Sequence, residues 1–243
     1  MKDKTRNIQA LFLGKLDYLK TMLLQEDINF KSQSDSTNQK ILFLEHENVI
    51  TYGSQEKITK EEIEKLISID KKFLYVKSNR GGQVTLHNPG QLICYPIIDI
   101  SKYFSGILEY VTFIEEVIIE TLKYYNVHSH RIKKRRGIWV NGDPDEKYDK
   151  NLLPKGEKIA ALGIKVIKNI SMHGFALNIY NDLEDYKKII PCGMPNLKVT
   201  SIQKLTNNKY DLEEIALIIS SKFEDILGLN LDFKKNIIIN SLR

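Results

Sequence analysis

The amino-acid sequence predicts an α/β protein of the α+β type, with a mixed, largely antiparallel β-sheet covered by helices. Segments with strand character outnumber those with helix character, and several follow one another through short turns. This order favours antiparallel pairing over a doubly wound parallel sheet. Neither an internal repeat nor a linker between domains is visible, and 243 residues suffice for one full core. We therefore expect a single domain over residues 1–243.

Helices are predicted where apolar residues recur at helical spacing and end signals flank them. The first runs from about Leu16 to Phe30, and the longest from about Gly106 to Tyr125. Thr59 and Glu62 form a capping box that begins a short helix, and Asp211 begins the last one. Leu16, Leu19, Leu23 and Leu24 recur in the first helix, and the predicted buried stripe of the longest is Ile107, Val111, Ile114, Ile118, Leu122 and Tyr125.

Strands are predicted where short apolar runs are bounded by turn residues. Pro96 favours an edge position or a bulge for its strand, and Lys168 with Asn169 joins the last two strands in a hairpin. The polar segment 143–156 reads as a mobile loop. The predicted strands are Ile41–Leu44, Val49–Gly53, Phe73–Val76, Gln91–Ile98, Gly137–Val140, Lys158–Ile167 and Ser171–Ile179.

Composition and charge describe an ordinary soluble protein. Apolar residues make up 42% and charged residues 28% of the chain, which argues against disorder. The net charge of +5 suits acidic proteins as well as nucleic acid, so charge alone does not choose between them. No apolar run is long enough for a bilayer, and the apolar stretch after the basic start is too short for a secretory signal. We expect a cytoplasmic protein without a membrane partner.

Cys192 is the first candidate for chemistry. It is one of two cysteines, a count typical of a reducing compartment, where a lone thiol is either buried packing or reactive. Pro191 and Gly193 favour a sharp bend, which can present a nucleophile and leave backbone N–H groups free beside it. Packing is the commoner fate of a free cysteine, and the flanking residues leave both interpretations open. Cys94, in an apolar strand, is expected to be packing only.

Three further segments join glycine or alanine to a polar residue beside an apolar run: Arg80–Gln91, Lys158–Gly163 and His173–Asn178. Small residues let a ligand approach the backbone, and the polar residue can orient that ligand. The first segment lacks the lysine of a P-loop and the spacing of a dinucleotide fingerprint. A wall for a neutral or acyl ligand suits it better, although a glycine turn between strands also explains it.

The remaining polar residues point to no metal. His87 and His173 could act as ligands or bases, but among five histidines and two cysteines only His128 and His130 are closely spaced. The basic run 130–136 invites a nucleic-acid interpretation, yet no stacking aromatics interrupt it. We prefer to interpret this run as a solvated loop or as a docking surface for an acidic protein. We predict no metal, no cofactor and no nucleic acid.

Lys158 begins an apolar strand of small residues. A solvent-facing lysine is the ordinary interpretation. Placed against a thiol, however, its ammonium would lower the pKa of that thiol, and the lysine could carry a proton during catalysis.

Together the four segments resemble the octanoyltransferase family, also called lipoate–protein ligase B or lipoyl(octanoyl) transferase. The resemblance covers a motif core of about residues 42–202, and the motifs stand in the family's order. Glu45-His46, Gly137–Val140 and Val199–Ser201 match weaker family features. Three features depart from the family: Leu86 replaces a usual aromatic, Asn88 replaces a common glycine, and the segment 143–156 is long. They concern the acyl-chain fit and the loop geometry.

The resemblance implies the fold of the biotin protein ligase and lipoate ligase catalytic domains. It also implies transfer of an octanoyl group, in lipoate biosynthesis, from octanoyl-acyl carrier protein to a lysine of a lipoyl domain. Acceptors would be the lipoyl domains of 2-oxoacid dehydrogenase complexes and the glycine cleavage H protein. Cys192 would carry an acyl thioester and Lys158 would be its acid/base partner. The acyl site would comprise Arg80, Gly81, Gly82, Gln83, Val84, Thr85, Leu86, His87, Ala161, Leu162, Gly163, Gly174, Phe175 and Ala176.

Two alternatives remain open at this point. One is an ATP-dependent lipoate ligase on the same fold, which has no use for a nucleophilic cysteine. The other is a non-enzymatic binding module, with nucleic acid held by the basic run 130–136.

Overall fold

Two β-sheets form the framework of the chain in a computed structural model. The structure describes residues 7–149 and 152–235, and the side chain of Cys192 lies outside the described part. The strands in this part are β1 (Asn7–Leu16), β2 (Lys40–His46), β3 (Val49–Tyr52), β4 (Leu74–Lys77), β5 (Val84–His87), β6 (Gln91–Ile97), β7 (His130–Ile132), β8 (Arg135–Val140), β9 (Glu157–Ile167), β10 (Ile170–Asn178) and β11 (Asn230–Lys235).

The larger sheet has eight of these strands, in the order β11-β1-β2-β6-β10-β9-β8-β7, and the smaller has the order β4-β3-β5. In the larger sheet β1 runs parallel to both β11 and β2. The other neighbouring strands of that sheet are antiparallel. In the smaller sheet β3 is parallel to β4 and antiparallel to β5. The predicted mixed, largely antiparallel sheet is therefore confirmed.

Helices cover both faces of the larger sheet. The α-helices in the described part are α1 (Tyr18–Ser32), α2 (Lys60–Ile69), α3 (Ile107–Tyr124), α4 (Ile202–Thr206) and α5 (Leu212–Leu227). Ile41 and Phe43 of β2 pack in the cluster that contains α3 and α5, whereas Leu42 and Leu44 pack in the cluster that contains α1. Because both faces are buried, the central strands read as continuous apolar runs rather than alternating ones. No helix of the described residues is long and apolar enough to cross a membrane.

The buried face of α1 is partly polar. Leu19 and Leu23, which carry the helical spacing of the sequence, are 42% and 62% exposed. Gln25 and Asn29 are buried instead, because each satisfies a backbone group of β10. The Oε1 of Gln25 accepts from the backbone N–H of His173 at 2.8 Å, and Asn29 donates to a carbonyl at the start of β10 at 3.1 Å. Hydrogen bonding to the sheet, and not only hydrophobicity, sets the orientation of this helix.

The predicted end signals of α2 and α5 are confirmed. Thr59 and Glu62 exchange hydrogen bonds of 2.8 and 3.2 Å in the capping box of α2. The Asp211 side chain caps α5, and Gly228 ends it with a left-handed φ of 64°. An N-cap of this kind is worth about 1 kcal/mol. The β9–β10 hairpin is also present, and its two turn residues, Lys168 and Asn169, both have positive φ.

The predicted edge position of Pro96 is wrong. Its strand, β6, lies between β2 and β10. The ladder to β10 ends at the pair Cys94–Phe175, so Pro96 lies beyond it. The carbonyl of Pro96 accepts from the hydroxyl of Ser171 at 2.8 Å on that side. The proline therefore interrupts no ladder hydrogen bond, which removes the usual objection to proline in an interior strand.

Candidate active site

A cavity of about 480 Å³ lies among β5, the β9–β10 hairpin, the start of α3 and the turn that contains Cys192. All the residues predicted for the acyl site line it except Leu86. Thr85 and His87 line the cavity, whereas the Leu86 side chain between them packs on the other face of β5. Val84 packs in the same core cluster as Leu86 but also reaches the cavity, at the start of the strand. Leu86 is fully buried and packs with Ile50 in the core of the smaller sheet. The replacement of the family's usual aromatic therefore falls outside the cavity.

Part of the cavity wall is made of backbone. The N–H of Gly81 donates to the carbonyl of Ile164 at 3.2 Å, which joins the loop before β5 to β9. A Cβ added to Gly163 would lie 3.0 Å from the Gly81 carbonyl oxygen. A side chain at Gly163 would push these two segments apart, so the close approach explains the glycine.

Arg80 holds the shape of the loop before β5. Its side chain is 7% exposed. The Nη2 atom donates to the carbonyls of Thr51 and Gln83 at 2.7 and 2.6 Å, and Nη1 donates to the carbonyl of Gly81 at 3.0 Å. These bonds tie the loop to β3 and fix the backbone that the cavity exposes.

The bend predicted around Cys192 is present as a single turn, Pro191–Gly193. The Gly193 N–H donates to Ile190, the Met194 N–H donates to Pro191, both at 3.1 Å, and Gly193 has a φ of 67°. A Cβ on Gly193 would lie 2.8 Å from the side-chain Oε1 of Gln83. Gly193 and Met194 line the cavity, so the turn borders it.

Lys158 is buried at the start of β9, with 5% of its surface exposed, and the solvent-facing interpretation is wrong. Its Nζ lies 5.3 Å from the centre of the Trp139 ring. The space for its side chain exists because Gly137 has none: an added Cβ would lie 2.3 Å from the Lys158 Cε. The Lys158 backbone bonds the carbonyl of Lys198 at 2.9 Å and the N–H of Thr200 at 3.0 Å. This pairing attaches the segment after Cys192 to β9 beside Lys158.

The cavity has two chemically different ends, and the hairpin register separates them. His173 of β10 pairs with Ile164, six positions along β9 from Lys158, which at the rise of a strand is roughly 20 Å. We call the region of His87, Tyr95 and His173 the histidine end. The region of Arg135, Lys158, Gly193 and Met194 is the lysine end.

The two imidazole rings of the histidine end carry no charge at neutral pH, and the nearby Arg80 guanidinium helps to keep them neutral. Burial lowers the pKa of both His87 and His173 to about 3. His87 Nδ1 is 2.7 Å from Gln91 Oε1, and His173 Nε2 is 2.7 Å from Asn79 Oδ1. Burial also raises the pKa of Tyr95 well above its usual value. This end therefore suits an uncharged group such as an acyl chain.

The basic run 130–136 is not a solvated loop. It forms the hairpin of β7 and β8. Arg131 pairs with Glu115 and Glu116 of α3 at 3.1 and 2.7 Å, and Arg136 lies 3.9 Å from Glu115. Arg135 is 9% exposed and lines the cavity at its lysine end. Its burial places one arginine of the run inside the site.

The start of α3 forms a wall that the sequence did not indicate. Ile107 and Val111 were predicted to face the core, but both line the cavity, and Ile107 is 55% exposed. Because both residues are apolar and fit the buried stripe of the helix, their spacing could not show that they line a cavity. Other lining residues that sequence reasoning missed are Gln55, Tyr95, Lys134, Arg136, Tyr148, Ile164 and Met194.

No group of three or more histidine, cysteine or acidic side chains within the described ranges could hold a metal ion.

Solved structures identify the class of fold. The bi-partite lipoate protein ligase of Thermoplasma acidophilum superposes with a TM-score of 0.70 over 97% of this chain and 89% of that one, at 14% identity. A biotin protein ligase of Aquifex aeolicus superposes with a TM-score of 0.51 over 90% of this chain and 70% of that one, at 10% identity. The chain has the fold of the lipoate and biotin protein ligase catalytic domains, as predicted.

Sequence relatives narrow the class. Residues 17–224 match the model of the lipoyl protein ligase A/B catalytic domain. An octanoyltransferase of Caldicellulosiruptor saccharolyticus is 34% identical over 93% of this chain and 91% of that protein. An octanoyltransferase of Christiangramia forsetii is 31% identical over 94% of this chain and 99% of that protein. The chain belongs to the octanoyltransferases of the lipoyl protein ligase A/B family, which confirms the resemblance.

Proposed function

We propose that this chain moves an octanoyl group from octanoyl-acyl carrier protein to a lysine of a lipoyl domain, with Cys192 carrying the group as a thioester in between. One observation carries the proposal. The buried Lys158 and the turn Pro191–Gly193 border the same cavity, and backbone pairing of Lys158 with the segment after Cys192 keeps them together. A lysine buried beside a thiol favours the thiolate, which is the reactive form.

The first step forms the enzyme thioester. The Cys192 thiolate attacks the donor carbonyl, a new C–S bond forms, and the C–S bond to the donor breaks. The Lys158 ammonium gives its proton to the departing donor thiolate and becomes a neutral amine. One thioester replaces another, so the step is nearly balanced and needs no nucleotide.

The second step delivers the group. The acceptor lysine attacks the Cys192 thioester as a neutral amine, and Lys158 takes the proton from the attacking nitrogen. An amide bond forms, the C–S bond to Cys192 breaks, and the thiolate and ammonium are restored. The acyl chain would extend toward the histidine end, where each buried methylene contributes about 0.8 kcal/mol.

The test is intact mass spectrometry after incubation with octanoyl-acyl carrier protein and no ATP. We expect an adduct of one octanoyl group, which Cys192→Ala abolishes together with transfer to a lipoyl domain. Cys94→Ala is the matched control, because Cys94 is fully buried and burial raises the pKa of its thiol. An adduct that survives in Cys192→Ala would disprove the role of Cys192.

The ligase alternative has less support. The relatives of 31% and 34% identity are octanoyltransferases, whereas the lipoate ligase superposes at 14% identity and shows only the fold. Removal of ATP and magnesium from the transfer assay separates the two. We expect full activity without them, and a requirement for ATP would favour the ligase.

The binding-module alternative also loses ground, because Arg131, Arg136 and Arg135 are paired or buried rather than free for nucleic acid. We propose the reaction for a single catalytic domain over 1–243 in the cytoplasm. A lipoyl domain as acceptor agrees with the structural likeness to a lipoate protein ligase of an archaeal lipoylation system that includes an E2 lipoyl domain.

A further inference from the structure

Arg135 is a buried cation without a carboxylate partner in the described part of the chain. Its Nη2 donates to the carbonyl of Asp149 at 2.7 Å and to that of Leu152, and its Nη1 contacts the Sδ of Met194 at 3.0 Å. Arg131 and Arg136, on the same hairpin, both reach Glu115. A charge that is 9% exposed is ordinarily paired with an opposite charge. Its guanidinium also lies 5.3 Å from the centre of the Tyr148 ring, so every partner of Arg135 in the described residues is neutral.

Arg135 and Lys158 both lie beside the face of β8 that carries Trp139. The Lys158 side chain occupies the gap at Gly137 and stands over Trp139. Arg135 contacts Met194, which packs against the cluster that contains Trp139. The two cations therefore line the same end of the cavity.

The Cys192 turn lies over that same face. Leu197 packs with Trp139, and Met194 packs against this cluster as well as touching Arg135. Met194 is two positions after Cys192, and its N–H closes the turn onto Pro191. This end of the cavity thus presents two buried cations to a turn whose central residue is a cysteine. Two cations at the same end of the cavity favour the anionic form of a thiol placed there.

We propose that Arg135 is a positioning residue for the nucleophile. Its permanent positive charge stabilises the anionic thiolate of Cys192. The inference rests on the proposed function, in which Lys158 alternates between ammonium and amine. Lys158 stays neutral until it takes the proton of the acceptor nitrogen, so its charge is not fully present as the Cys192 thiolate begins to leave. A guanidinium keeps its proton throughout the neutral range. Arg135 supplies constant charge, and Lys158 supplies the mobile proton.

The test is the pH dependence of Cys192 alkylation by iodoacetamide, followed by intact mass. We expect Arg135→Gln to raise the apparent pKa of the Cys192 thiol by about one pH unit, which slows alkylation about tenfold near neutral pH. Arg135→Lys keeps the charge but not the fork of donors, and should leave the curve close to wild type. Arg131→Gln is the control, because that charge is already paired with Glu115 and should not move the curve.

Two results would overturn the proposal. One is an unchanged alkylation curve in Arg135→Gln. The other is an equal rise in Arg135→Gln and Arg135→Lys, which would mean that the bonds to Asp149 and Leu152 matter and the charge does not. If Arg135→Gln does not fold, Arg135→Met removes the charge while retaining an apolar stem. Octanoyl-adduct formation by Arg135→Gln should recover at a pH where its thiol is ionised. By contrast, a wild-type protein that forms no adduct at any pH would refute the proposed function itself.

Discussion

Burial leaves the ionisable groups neutral at the histidine end of the cavity but charged at the lysine end. At the histidine end, burial lowers the pKa of His87 and His173 to about 3, and both rings are neutral at physiological pH. At the lysine end, Arg135 is equally buried, yet a guanidinium cannot give up its proton in that range. One cavity therefore holds two neutral imidazole rings about 20 Å along the hairpin from the buried charge of Arg135. In the proposed mechanism, this difference separates the place where the acyl chain rests from the place where the bond is exchanged.

The largest effect is expected when the proton-transferring amine of Lys158 is removed from the lysine end. We expect Lys158→Ala to lower turnover by roughly 10²–10⁴-fold, the usual contribution of a general acid–base group. Lys158→Arg should not restore turnover, because it keeps the charge but cannot release the proton. Steady-state transfer to a lipoyl domain measures both. Lys168→Ala, in the exposed β9–β10 turn, is the control. Near-normal turnover of Lys158→Arg would reduce Lys158 to electrostatic support.

An acid titration tests the histidine end. The folded pKa values of His87 and His173, about 3, lie below the ordinary value of 6.5, so the unfolded chain binds more protons between these limits. The free energy of unfolding is therefore at its full value above pH 6.5 and falls as the pH drops toward 3. Each histidine contributes about 1.4 kcal/mol per pH unit to this slope.

The measurement is chemical unfolding at several pH values between 4.5 and 6.5, with wild type and His173→Gln. The glutamine retains a hydrogen-bonding group toward Asn79 but takes no proton, so the slope should become shallower by the share of one histidine. His128→Gln, at a position outside this buried cluster, serves as the control. Equal slopes in wild type and His173→Gln would show that His173 is not held neutral by the fold.

The smallest effect is expected outside the cavity, beside the lysine end. Lys133 is exposed in the β7–β8 turn, whereas Arg135 of the same basic run is buried, so only the former can act by long-range attraction. Lys133→Ala should lower kcat/KM by less than about threefold at low salt and have no effect at high salt, since salt screens exposed charges. Octanoyl-acyl carrier protein is the varied substrate. A kcat/KM at low salt identical to that of wild type would leave Lys133 a solvated residue.

The sequence patterns predicted the positions of the helices better than which of their residues are buried. End signals located α2 and α5, because Thr59 with Glu62 and Asp211 act on their own first turns. They could not reveal that Gln25 is buried while Leu23 is exposed, because the reason is a hydrogen bond to a strand almost 150 residues away. Ile107 was assigned to the core on the same apolar stripe that in fact continues into the cavity.

The residues that line the cavity were indicated by the family motifs and not by periodicity. Their positions account for every predicted cavity residue except Leu86, whose direction depends on strand alternation. Arg135, in contrast, could not be recognised from the sequence as a cavity residue. In the sequence it is one of several basic residues in a row, and only the path of the hairpin distinguishes it from Arg131 and Arg136.

The backbone wall at Gly81 and Gly163 bears on substrate engineering. Where peptide groups form the surface, a larger residue displaces the fold before it reshapes the cavity, as the 3.0 Å approach at Gly163 indicates. The α3 wall behaves differently, because Ile107 and Val111 present side chains that can be shortened or lengthened on an intact helix. Selection for longer or bulkier acyl donors should therefore accumulate substitutions at these two positions and leave the glycines untouched.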